Sequence, residues 1–109
     1  MTRTLADGEA PHRRITVAEV RAHRNEIVEV GIRHGVTDIR VFGSVARGEA
    51  DERSDLDLLV AVCPGRNLFD LASFAIDVED LLGIFTQVVT ERGIKARIRA
   101  RVLSEAVPL

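Results

Sequence analysis

Tryptophan and tyrosine are absent from this 109-residue chain, and four phenylalanines are its only aromatic side chains. Proteins that stack nucleobases on side-chain rings draw on such residues, so a platform of the Trp or Tyr type is excluded, and the Phe read as core. Cysteine occurs once, at Cys63, which rules out an internal disulfide and fits a reducing cytoplasm. No apolar run approaches the roughly 18 residues of a bilayer span, and the N-terminus lacks the apolar centre of a secretion signal, so no membrane association is expected. Neither sign of charge dominates. A net charge of −2 argues neither for nor against a nucleic-acid partner, because local clusters matter more than the sum. His12, His23 and His34 have no metal-ligand spacing.

What remains is 46% hydrophobic and 29% charged, the balance of a soluble globular protein with one core. Residues 1–14 are polar, carry Gly8 and Pro11, and show no period, which predicts a loose leader ahead of a domain over 15–109. Thr16 and Glu19 have the spacing of a capping box. The helix they open carries Val17, Val20, Ile27, Val28 and Ile32, and Gly35 stops it. Asp38–Phe42 alternates as a half-buried strand does, and Ser44 begins a short helical turn that fades into a polar loop over 49–54. Leu56–Val62 is a nearly unbroken apolar run, the mark of a central strand, ended by Pro64-Gly65. Asn67 caps the next helix, with Leu68, Leu71, Ala75, Val78 and Leu82 on its inner stripe and Gly83 at its end. Ile84–Thr90 reads as a third strand and Lys95–Ala106 as an amphipathic helix. The order helix, strand, strand, helix, strand, helix predicts an α/β (α+β) fold with a small mixed sheet flanked by helices.

The chemistry concentrates between Gly43 and Val60. Asp55 and Asp57 are two apart at the opening of the central strand, so both project from one face while Leu56 and Leu58 point the other way. Carboxylates so placed repel one another, and a small hard cation such as Mg²⁺ relieves the repulsion. Gly43 permits close backbone approach, and Ser44 offers a hydroxyl and an amide to a phosphate. Each residue also has a plainer reading: strand-end acids discourage edge pairing, Ser44 is an ordinary cap, and Gly43 a turn glycine. Arg47 falls one helical turn after Ser44, and either reaches phosphate or is solvated loop charge, as Arg53 is. Cys63 reads as core or strand-end packing. The basic run Arg92, Lys95, Arg97, Arg99 and Arg101 is a solvated face, or meets an acidic partner or RNA.

Gly43-Ser44, ten residues, then Asp55-x-Asp57 resembles the signature of the nucleotidyltransferase superfamily that includes DNA polymerase β. The wording Val41-Phe42-Gly43-Ser44-Val45-Ala46-Arg47-Gly48-Glu49 is similar to its smallest members, the minimal nucleotidyltransferases of prokaryotic toxin–antitoxin pairs. The likeness runs from about Val17 to the C-terminus. It implies a nucleotidyltransferase-like fold in which Asp55 and Asp57 are catalytic and hold two Mg²⁺ ions, while Gly43, Ser44 and Arg47 bind the phosphates of ATP or another NTP. It implies an antitoxin acting in the cytoplasm, which transfers a nucleoside monophosphate, AMP by expectation, to a tyrosine hydroxyl of a co-encoded HEPN-type ribonuclease toxin. A long nucleic-acid template is not expected in so small a chain. The family draws a third carboxylate from the following strand, where this sequence has Thr86-Gln87-Val88-Val89-Thr90. Gln87 takes the acid's place. An amide ligates a cation weakly and accepts no proton, so the second metal site is expected to be weakened. The alternative is a catalytically impaired relative that neutralises its toxin by binding alone.

Overall fold

The computed structural model describes residues 14–109; the expected leader lies outside them but for Arg14, as does His12. Helix α1 spans Val17–Ala22, and Thr16 Oγ1 accepts the Glu19 amide proton at 3.1 Å. One helix up to Gly35 was expected, but the chain turns at His23 (φ −101°, ψ 17°) before α2, Arg24–His34. The inner face of α2 is Ile27, Val30 and Gly31, while Ile32 is 69% exposed. Gly31 explains that phase: a Cβ there would lie 2.6 Å from the Val36 carbonyl oxygen. The helix therefore packs on its glycine, and Ile32, one position further round, turns to solvent.

Gly35 ends α2 in the left-handed region, and β1 follows at once, Val36–Phe42. It begins two residues before the expected strand because pairing resumes across an irregularity between Thr37 and Arg40, with Asp38 at φ 52°. A short helix α3, Gly43–Ala46, then a loop, lead to β2, Leu56–Val62. Helix α4, Leu68–Leu82, opens on a complete capping box from Asn67 and Asp70 and closes at Gly83. Strand β3 is Thr86–Thr90, and a 3₁₀ turn over Glu91–Gly93 precedes α5, Ala96–Glu105. A last strand absent from the sequence reading, β4 (Val107–Pro108), pairs with Arg40 and Val41. Arg21 donates to the Pro108 carbonyl and Arg24 to that of Leu109, tying the chain end down.

The sheet order is β3-β2-β1-β4, with β2 parallel to β3 and the other pairs antiparallel. Leu56, Leu58 and Val60 pack with Val20, Ile27, Phe74, Val78 and Leu82 from α1, α2 and α4. Leu59 points oppositely and packs with Ile94 and Val102 beneath α5. Both faces of β2 are thus covered, which is why its sequence is apolar without alternation. The inner stripe of α4 runs through Phe74, Val78 and Leu82; Leu68 and Phe69 are 79% and 82% exposed. A 3.6-residue period sets Phe69 opposite Phe74 and Leu68 at the stripe's edge, so not every Phe is core. Cys63 is exposed just past β2. In the basic run, Arg99 is not a solvated charge: it donates to the carbonyls of Glu91 and Ile94 and anchors the 3₁₀ turn. No helix among the described residues is long and apolar enough to cross a membrane.

Candidate active site

The antiparallel pairing of β1 with β2 matches Phe42 to Asp57, which brings the turn after β1 against the start of β2. Gly43 sits in that turn at φ 74°, and a Cβ at this position would collide with Asp57 Oδ2. Only glycine allows the backbone to lie directly on the carboxylate, and only glycine holds this φ without strain. Asp57 shares the face of Leu59 towards α5, and Asp55 precedes it by two residues. The parallel pairing of β2 with β3 places Gln87 beside Asp57, on the same face and exposed. Gly43, Asp55, Asp57 and Gln87 therefore meet at one end of the sheet.

Asp57 is the electrostatically loaded member. Burial pushes its carboxyl up to about 6, the Asp55 carboxylate adds to the rise, and Arg47 opposes it. Glu105 contributes a further, smaller push in the same direction. A half-buried carboxylate whose proton affinity a neighbouring acid raises is one that a bound cation would relieve. Among the described residues no three His, Cys, Asp or Glu side chains cluster as a metal cage. The donor set is instead two carboxylates with a neutral amide alongside. That suits an oxygen-seeking ion such as Mg²⁺, which keeps waters and takes substrate phosphate oxygens into its shell rather than demanding an all-protein site.

Gly43, Ser44 and Arg47, expected to donate to phosphate, lie on the one short turn of α3, and an acceptor, Glu105, joins them. Ser44 is half-buried, and its hydroxyl has no hydrogen-bond partner among the described residues. Arg47 lies at the end of α3, its Nε donating to Glu49 at 3.0 Å and a terminal nitrogen to Glu105 Oε2 at 2.8 Å. The same Glu105 oxygen accepts the Gly43 amide proton at 2.8 Å. Arg53 stays outside this cluster, its amide bonded to Asp51. Glu105 was missed from the sequence because its partners lie far away in the chain. One signal was available: it is the last residue of α5, where a carboxylate faces the negative end of the helix dipole and needs compensation.

The family described as a nucleotidyltransferase domain matches residues 20–109. The protein adenylyltransferase MntA of Thermococcus cleftensis is 40% identical over 86 residues, covering 79% of this chain and 84% of that one. A solved structure provisionally assigned as a minimal nucleotidyltransferase is 49% identical, with a TM-score of 0.76, over 87% of this chain and 97% of that one. A chain from the complex of tri-AMPylated Shewanella oneidensis HEPN toxin with MNT antitoxin shares the fold at 16% identity, TM-score 0.60, over 81% of this chain and 69% of that one. A match over most of the sequence, together with relatives aligned along most of their own length, makes this chain a member of the nucleotidyltransferase domain family, in its minimal nucleotidyltransferase branch.

Proposed function

We propose that this protein transfers AMP from ATP to a hydroxyl of a partner protein, the hydroxyl oxygen bonding to the α-phosphorus as the α–β anhydride bond breaks, pyrophosphate leaving and the hydroxyl proton passing to water, and that the partner is a HEPN-type toxin silenced by the modification. The observation that carries the reading is the Asp55–Asp57 pair set against the Gly43–Ser44 turn, which supports a divalent-cation site beside a phosphate-binding turn. Support for a protein acceptor comes from the adenylyltransferase relative, which this chain covers over most of its length. The toxin as partner follows the S. oneidensis complex, in which a fold relative sits beside an AMPylated HEPN toxin. The work is assigned to the cytoplasm, where ATP and Mg²⁺ are supplied.

In this mechanism Asp55 and Asp57 would hold Mg²⁺, and the chemistry it would supply is neutralisation of the phosphate charge. Ser44 offers its hydroxyl to the β and γ phosphates while Glu105 holds the Gly43 amide, and the Arg47 guanidinium adds positive charge at the rim. Gln87 orients but takes no proton, so β3 supplies no base for the acceptor hydroxyl. A second mode of action, neutralisation by occlusion with the fold kept as a binding surface, draws its support from that same amide. Incubation of the partner with α-labelled and, separately, γ-labelled ATP tests the reading. Nucleotidyl transfer moves the α label alone, and Asp55→Ala abolishes it. Label from neither, with the toxin still neutralised, would replace transfer by occlusion.

A further inference from the structure

Glu105 is a carboxylate in an unfavourable place: at the C-terminal end of α5, with its side chain only 14% exposed. Its two hydrogen bonds lead to the site described above. Oε2 accepts from the Gly43 amide and from Arg47, each at 2.8 Å, while Oε1 lies 3.9 Å from Arg101 on its own helix. Helix α3 has no cap of its own, since Phe42 stands at its N-cap without a side-chain hydrogen bond. Its first amide is capped instead from the other end of the sequence. Gly43 in turn rests on Asp57, with no room for a single methyl group between them. Glu105, Arg47, Gly43 and Asp57 thus form a continuous line of contacts from α5 to the carboxylate pair.

We infer that Glu105 is a positioning residue for the transfer reaction: it holds the Gly43–Ser44 turn at its height above Asp57 and aims the Arg47 guanidinium at the site. The inference rests on the proposed nucleotidyl transfer and names a residue that reaction needs but that does not touch the reacting atoms. Its carboxylate does two jobs at one oxygen. An acceptor of any charge satisfies the Gly43 amide, but only a negative one holds Arg47 strongly. Docking of α5 is therefore a condition for a formed nucleotide site.

Glu105→Gln separates the two jobs, because the amide oxygen still accepts from Gly43 while its grip on Arg47 is weakened. The measurement is MgATP affinity by calorimetry, for wild type, Glu105→Gln, Arg47→Ala and the double variant, with circular dichroism to verify folding. Glu105→Gln is expected to weaken MgATP binding by about tenfold, and to add less than about twofold once Arg47 is alanine. Unchanged or tighter binding in Glu105→Gln would overturn the inference, the latter by showing the carboxylate to compete with phosphate for its donors. An equal loss in the Arg47→Ala background would also overturn it, leaving Glu105 as a strut of the fold. If Glu105→Gln fails to fold, Glu105→Asp, which keeps the charge and draws the oxygen back from both Gly43 and Arg47, takes its place: weaker MgATP binding by the folded variant supports the role, and unchanged or tighter binding overturns it. Wild type that binds no MgATP would remove the transfer reading itself, and this role with it.

Discussion

Replacing Asp57 by asparagine should make the metal-free protein more stable, which is the reverse of what removing a buried hydrogen-bonding group usually does. Asp57 has its carboxyl raised from 3.8 to about 6, first by burial and then by Asp55. At 1.36 kcal/mol per pH unit, the full cost of ionising it in the folded state is about 3 kcal/mol. Residual solvent contact screens this to roughly 1.5 kcal/mol. Nothing that shifts Asp57 is a hydrogen bond, so the amide gives up no partner, and it can donate where the carboxylate can only repel. For a domain of this size the gain is worth about 6 °C in Tm. The sign with pH follows from the raised value. Between about pH 4 and pH 6 the folded protein binds more protons than the unfolded chain, so the wild type loses stability as pH rises through that window, and no more above it. Asp57→Asn lacks this loss. Thermal unfolding in chelator should therefore show nearly equal Tm values at pH 4 and a more stable variant from pH 7 upward. Added Mg²⁺ should then raise the wild type by mass action and leave the variant nearly unmoved. A variant less stable than wild type at pH 8, or a gap of the same size at pH 4, would refute the reasoning.

Gly43→Ala places a methyl group on Asp57 Oδ2 and a side chain in the left-handed region, and should cost about 2–3 kcal/mol in denaturant unfolding; a loss under about 0.5 kcal/mol would mean the turn is free to move. Gln87→Asp adds a third carboxylate beside Asp57 in register. It should lower metal-free stability, tighten Mg²⁺ binding several-fold and speed transfer, whereas unaltered Mg²⁺ affinity would show that position 87 does not reach the ion. Gly31→Ala, whose Cβ would press on the Val36 carbonyl, should lower Tm by more than the helical preference of alanine could raise it, and an increase in Tm would contradict the close packing of α2 on β1.

The elements that could be read from sequence were those whose determinants are local. Strand β2 was legible to its last residue because burial on both faces leaves an apolar run with no other explanation. The bounds of α4 followed from Asn67 and Gly83, residues that satisfy or end a helix by their own chemistry. The turn at His23 was invisible because no glycine or proline marks it. Phe69 and Phe74 could not be told apart until packing chose the phase of the helix, and β4 is too short to show a period. The site divides in the same way. Asp55 and Asp57 share a face by strand geometry, so their pairing needed no fold. That Gly43 rests on Asp57 depends on the β1–β2 register, and that Gln87 adjoins Asp57 on the β2–β3 register. Glu105 joins them only through the packing of α5, and spacing along a chain holds no record of that.

The central claim is that Asp55 and Asp57, at the opening of β2, make this protein a transferase acting on its partner. Its most direct test is the intact mass of the proposed HEPN-type partner after co-expression with the wild-type chain and with its Asp55→Ala/Asp57→Ala form. The account predicts a partner heavier by one or more whole AMP groups beside the wild type and unmodified beside the double variant. An unmodified partner held in a stable complex by both forms would contradict it.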